Sequence, residues 1–208
     1  MVNKKNLIPL CLIPLCLCLL LSCGRKKDPA RYDDPGKPAF GDMIITGSIG
    51  EPSNLIPILS VDSASHDVAS YVYNGLVKYD KDLIIVGDLA ESWEISKDNL
   101  SITFRLRKGV RWHDGRPFTA HDVMYTYRVT IDPKTPTAYS GDFKLVRKAE
   151  VLDDHTFRVT YDKPFAPALI SWSVAMLPKH LLEGKDITTS PLKRKPVGTG
   201  PFVFTEWV

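Results

Sequence analysis

Residues 111–123 read RWHDGRPFTAHDV, which puts His113, Asp114, His121 and Asp122 within ten positions. Imidazoles and carboxylates at that density could hold a divalent metal or share a proton. A secreted metal-dependent hydrolase would draw on His113, Asp114 and His121. The spacing does not suit that chemistry. The two histidines are eight apart, across a turn and a helix start, and lack the i, i+4 placement of HExxH. There is no CxxC and no third clustered ligand, and the GxSxG of a serine hydrolase is absent. Gly198-Thr199-Gly200 lacks both the Lys-Ser/Thr ending of a P-loop and the third glycine of a dinucleotide loop. No metal site, cofactor or catalytic residue is expected.

A structural reading accounts for the same residues. Trp112 is expected to end a strand, and His113-Asp114-Gly115 to form a turn in which Gly115 takes positive φ. Pro117 blocks continuation in a sheet. Thr119 is a good N-cap, with Asp122 at N3 as its capping-box partner and at the positive end of the helix dipole. Val123, Met124, Tyr127 and Ile131 then fall on one helical face.

The elements around this stretch read as follows. Met43–Ile49 alternates as a strand, and Glu51–Pro57 is a loop punctuated by two prolines. Ser65–Asn74 is expected to be helical, with Val68, Tyr71 and Val72 on one face and Gly75 as the stop. Ile102, Phe104 and Leu106 alternate with Thr103 and Arg105, the period of a half-buried strand. Glu91–Ser96 precedes it across Lys97-Asp98-Asn99, predicting a hairpin. A second hairpin is written in KAEVLDDHTFRVTYDK, turning at Asp153-Asp154-His155. Ala168–Met176 is expected as a short helix, and Val197 onward as a glycine-rich turn entering a strand that runs to the last residue. A strand reaching the end of the chain predicts further sequence beyond it.

The first 42 residues have a different character. Lys4 and Lys5 precede an uninterrupted apolar run, Leu7–Leu21, that is shorter than the ~18–20 residues needed to span a bilayer. This is the pattern of an export signal. Leu20-Leu21-Ser22-Cys23-Gly24 resembles the lipobox of bacterial lipoproteins, which implies cleavage before Cys23 and acylation of that residue. All four cysteines lie at or before Cys23, so the expected mature chain keeps only that one and no intrachain disulfide forms. Acyl chains contribute about 0.8 kcal/mol per buried CH₂, and stable anchoring needs more than one chain. Residues 24–42, rich in Pro, Gly and charge, read as a disordered tether. Loss of Lys4 and Lys5 takes the net charge from +3 to +1, and no basic stripe with interleaved aromatics appears, so nucleic acid is not an expected partner.

The run GDLAESWEISKDNLSITFRLRKGVRWHDGRPFTAHDVMYTY resembles the signature region of family 5 extracellular solute-binding proteins, the peptide-binding lipoproteins of ABC importers. EPSNLIP, YNGLVKYD and PVGTGPFVF agree in order, and Gly87 stands where the family often has proline. The resemblance implies an α+β, periplasmic-binding-protein-like fold of two lobes (type II, peptide-binding subclass). In this chain it would be truncated to the start of lobe one plus an inserted small β-rich domain. The implied organisation is a signal peptide over 1–22, a tether over 23–41, the start of lobe one over 42–60, an inserted α+β domain over 61–195 and a return strand over 196–208. The implied role is the substrate-binding component that captures extended peptides outside the cytoplasmic membrane and delivers them to permease subunits. A nickel complex, haem or an oligosaccharide are the alternative ligands on the same scaffold. Lipidated Cys23 would tether the protein to the cell membrane, facing the periplasm or the exterior. The implied ligand-side residues are Glu51, Asn54, Tyr139, Gly198, Thr199 and Gly200. A non-functional truncated remnant is the remaining alternative.

Overall fold

The computed structural model describes residues 45–207. The expected signal sequence, Cys23, the tether and the start of the Met43–Ile49 strand lie outside that range, and residues 45–49 are not in a strand. From Ser48 onward the described chain forms one unit.

Its first helix, α1 (Ser63–Val72), begins two residues before the expected position because Asp62 is a strong cap. The Asp62 carboxylate accepts the Ser65 N–H at 2.8 Å and hydroxyls from Ser65 at 2.8 Å and Ser53 at 2.5 Å. Ala64, Ser65, Ala69 and Val72 are buried, whereas Tyr71 is exposed. The inner face is therefore small-residued rather than the Val68/Tyr71/Val72 stripe expected, which lets α1 sit close to its neighbours. A two-stranded ribbon follows, β1 (Val77–Tyr79) antiparallel to β2 (Ile85–Gly87).

The core is a four-stranded antiparallel sheet of β3 (Ala90–Ile95), β4 (Ser101–Leu106), β5 (Val146–Asp153) and β6 (Thr156–Tyr161), in the order β3-β4-β6-β5. Both expected hairpins are present. β4 pairs with β6 in a register that sets Phe104 opposite Phe157 and Ile102 opposite Val159. Ile102, Phe104, Leu106, Phe157, Val159 and Tyr161 are all buried on one face, as their alternation requires. They close on Trp172, whose ring lies 5.0 Å from Phe157, 5.1 Å from Phe143 and 5.8 Å from Phe104 (centroid distances). The Trp172 indole donates to Tyr161 Oη at 2.9 Å, and that hydroxyl donates to the Ala168 carbonyl at 3.1 Å. The Trp172 and Tyr161 polar atoms that the cluster buries are thus paired.

Between the hairpins runs α2 (Ala120–Ile131). Val123 is buried as expected, but Ile131 is 39 % exposed. Apart from Ala120, the rest of the buried stripe is polar: Asp122, Thr126 and Thr130. Thr130 Oγ1 donates back to the Thr126 carbonyl at 2.8 Å, and the other two serve the incoming 177–179 segment. Leu177 N–H donates to Thr126 Oγ1 at 2.9 Å, and Lys179 N–H to Asp122 at 3.1 Å. The expected Ala168–Met176 helix is instead a pair of 3₁₀ turns, Ala166–Ala168 and Ile170–Ser173. Pro167 supplies no N–H, and Ser171 Oγ takes the Pro167 carbonyl at 3.0 Å, so α-helical bonding is pre-empted.

A second, smaller apolar cluster joins Ile56 and Ile58 to Leu177, Leu182, Ile187 and Leu192, with the short helix α3 (Lys179–Leu182) among its walls. Leu55 N–H donates to the Lys193 carbonyl at 3.0 Å and closes the same join. Residues 197–207 form no strand. Their amides are used differently: Gly200 and Phe202 donate to the Val72 and Tyr71 carbonyls at the end of α1, at 2.8 and 3.1 Å. The carbonyls of that end lack intrahelical donors, and the passing segment supplies N–H groups to them. Among the described residues no helix is long and apolar enough to cross a membrane.

Candidate functional site

The RWHDG turn forms as its sequence requires, although β4 ends at Leu106 and Trp112 lies in a separate tight loop closed by an Arg111–Pro117 bridge. Gly115 has φ +88°, and its N–H donates to the Trp112 carbonyl at 2.8 Å. Asp122 Oδ2 accepts the Thr119 N–H at 2.9 Å, the carboxylate half of the expected capping box. Burial raises the Asp122 pKa against the opposing pull of the Thr119 and Lys179 N–H groups. The Trp112 indole N–H also faces this carboxylate and favours its charge, though without full hydrogen-bond geometry.

The three residues of the hydrolase alternative do not converge. His113 is held by the backbone of Gly198 and Gly200, Asp114 pairs with His180 at 2.6 Å, and His121 lies 3.6 Å from Asp154. For Asp114, burial opposes ionisation, but the His180 contact and the Arg116 N–H outweigh it and hold the carboxyl below its usual value. Among the described residues no group of three or more His, Cys, Asp or Glu is placed to hold a metal.

Of the sequence-derived candidates, Tyr139 lines a cavity of about 510 Å³ beside the C-terminal end of α1, and the others do not. Tyr139, Asn74, Asp88, Lys78, Tyr73 and Pro201 are among its lining residues. Tyr139 opens the 3₁₀ turn Tyr139–Phe143 and is half-buried against the Ile56/Ile58 cluster. Burial, reinforced by Asp142, raises its phenol pKa. Burial likewise pushes the Tyr73 phenol up; its Oη faces the Val197 backbone without a full hydrogen bond. A larger cavity of about 570 Å³, with His121, Arg128, Glu150 and Glu183 in its wall, contains none of the candidates.

The remaining candidates take other positions. Asn54 Oδ1 accepts the Ile56 N–H at 2.9 Å and so shapes its own loop, while Glu51 is exposed outside the cavity lining. Gly198 and Gly200 press against the end of α1. A β-carbon on Gly198 would lie 1.8 Å from the Val72 carbonyl oxygen, and one on Gly200 would lie 2.5 Å from that of Tyr71. Thr199 Oγ1 donates to Asn74 Oδ1 at 3.1 Å, and Asn74 Nδ2 donates to Asp88 at 2.9 Å. The other Asp88 oxygen accepts from Lys78 at 3.0 Å. Asn74, Asp88 and Lys78 were not singled out from sequence. Only their place within YNGLVKYD, for Asn74 and Lys78, and within GDLAESW, for Asp88, could have marked them.

Residues 85–208 match the model of bacterial extracellular solute-binding proteins, family 5 (middle region). The chain belongs to this family. It is 32 % identical to the oligopeptide-binding protein AppA of Bacillus subtilis, over 99 % of this chain and 39 % of that relative. Its structure superposes on NikZ from Campylobacter jejuni in complex with Ni(L-His), with a TM-score of 0.71 and 35 % identity over 76 % of this chain and 32 % of that one. It superposes equally on B. subtilis AppA in complex with a nonapeptide, with a TM-score of 0.71 and 31 % identity over 77 % and 33 %. The mixed helix-and-sheet fold is thus that of the type II solute-binding proteins, and this chain spans between a third and two fifths of the length of these relatives.

Proposed function

We propose that this chain provides the N-terminal part of the substrate-binding component of an ABC importer. That component captures extended peptides outside the cytoplasmic membrane and passes them to the permease subunits. The observation that carries the reading is the cavity beside α1. It combines an aromatic wall at Tyr139 with donors and acceptors on Asn74, Asp88 and Lys78, the mixed lining that can hold a peptide main chain. The oligopeptide-binding AppA, matched over 99 % of this chain, and the nonapeptide in its structure support a peptide ligand, while the Ni(L-His) of NikZ keeps a metal complex as the alternative. Tyr139 serves as a ligand-facing ring. Thr199 acts through Asn74, Gly198 and Gly200 act as backbone formers, and Glu51 and Asn54 shape the loop at the margin.

The segments that pack as the small apolar cluster, 55–60 and 177–192, support a boundary between the start of lobe one and the inserted domain. Export follows from the family, and anchoring through acylated Cys23 is the finer part of the proposal. Calorimetry of the mature chain with mixed short peptides tests the binding role. Saturable heat that weakens at least several-fold in Tyr139→Ala is the expected result, and heat unchanged by that substitution would remove Tyr139 from the site. Mass spectrometry of the membrane fraction tests the anchor, through an acyl mass that disappears in Cys23→Ser.

A further inference from the structure

We infer that His113 is a positioning residue for the cavity: as the neutral imidazole with its proton on Nε2, it clamps the Gly198–Gly200 turn and thereby holds the Thr199 hydroxyl on the Asn74 amide oxygen. The inference rests on reading that cavity as the ligand site. The tautomer follows from the partners. Gly198 N–H can only donate, so Nδ1, 3.3 Å away, must accept. The Gly200 carbonyl can only accept, so Nε2, 2.9 Å away, must donate. The His113 main-chain N–H adds a third bond, to the Gly198 carbonyl at 2.9 Å. One residue thus holds both ends of a turn some 85 positions further along.

The opposite side of that turn is against α1. The Gly200 N–H donates to the Val72 carbonyl, and neither Gly198 nor Gly200 has room for a β-carbon. Thr199, fixed between the two glycines, directs its hydroxyl proton to Asn74 Oδ1. Asp88, a carboxylate paired with Lys78, can only accept, so the Asn74 NH₂ faces it and Oδ1 is left for the Thr199 hydroxyl. If the turn were released, Asn74 Oδ1 would lose its donor, and the amide would be held at its Asp88 end alone. An acceptor on the cavity wall would then be freed.

The test uses the full chain labelled with ¹⁵N and needs no ligand for its first arm. Long-range ¹H–¹⁵N spectra should show an unprotonated Nδ1 and a protonated Nε2 on His113; the reverse tautomer would overturn the inference. In His113→Leu, amide exchange at Gly198 and Gly200 should rise about tenfold or more, as expected for losing hydrogen bonds that hold a local element shut. The Asn74 side-chain resonances should move with it, while the Trp172 indole N–H stays unchanged as the report on the sheet. His113→Asn, whose Oδ1 can accept the Gly198 N–H, should restore protection at Gly198. Protection in His113→Leu equal to that of the wild type would sink the idea. The second arm is peptide affinity. Peptides that bind the wild type and His113→Leu equally would leave the cavity reading standing and remove His113 from it. If no peptide binds the wild type, the cavity reading fails while the tautomer and exchange results still decide whether the clamp exists.

Discussion

Within each hairpin of the sheet, partners are near neighbours along the chain: β3 meets β4 across a short turn, β5 meets β6 across another, only the β4–β6 pairing reaches further, and the side chains alternate into one apolar core. Around the end of α1 the reverse holds. Thr199 meets Asn74 across 125 positions, and His113 meets Gly200 across 87. Few large apolar groups are involved there, and main-chain donors and acceptors do most of the joining. The sheet is held by burial and would tolerate exchange of its exposed residues. The α1 face is held by geometry, in which a single added methyl group has no space. A rigid core beside a face closed by a few hydrogen bonds suits a binding site, because the low-stability end of a structure is where ligand-linked motion arises.

Substitutions can break this contrast, beginning with the largest. Trp172→Ala removes the ring on which Phe104, Phe143 and Phe157 converge. A loss of about 3–5 kcal/mol is expected in urea unfolding, with the sheet and the α1 face lost together. Gly198→Ala should instead cost about 1–3 kcal/mol, confined to the turn and the last residues of α1. Amide exchange should then rise at Gly200 and Phe202 while β4 and β6 keep their protection. Uniform loss across the sheet would refute the separation of the two regions. Gly115→Ala, at positive φ with nothing within 4 Å of the added carbon, should cost only about 1 kcal/mol, from backbone strain alone.

The two helix caps sharpen the same contrast through pH. Hydrogen bonds from Ser53 and Ser65 lower the Asp62 pKa to about 2. Its contribution is therefore present above the unfolded carboxyl value and is lost as pH falls from about 4 toward 2. Asp122 is shifted upward by burial, so folding favours its protonated form, and its contribution declines as pH rises above the unfolded value. Stability–pH curves should lose the acid-side rise in Asp62→Asn and the decline above about pH 4 in Asp122→Asn. Identical curves for the two variants would show that the caps do not differ in this way.

The sheet was legible because its information is local. Alternation in SITFRL and TFRVTY fixes which side chains face inward, and the Asp-rich turns fix the register within each hairpin. The RWHDG turn and the Thr119–Asp122 cap were legible for the same reason. The buried polar stripe of α2 was not, since Asp122 and Thr126 resemble solvent-facing residues until the 177–179 backbone arrives to use them. The end of the described chain was misread as a strand because its donors are satisfied by the last carbonyls of α1, a distant partner that periodicity does not encode. Of the site, Tyr139 and the GTG turn were visible as residue types, whereas the link from His113 through Thr199 to Asn74 exists only in three dimensions.

The join between residues 55–58 and 177–193 also governs the order in which the molecule is made. A chain synthesised from its N-terminus at ~5–20 residues per second exposes Ile56 and Ile58 on the order of ten seconds before Leu177 to Leu192 emerge. The hairpins can close during that interval, because their contacts are local and fast to form. The apolar loop near residue 56 must wait, which leaves its side chains uncovered over that interval.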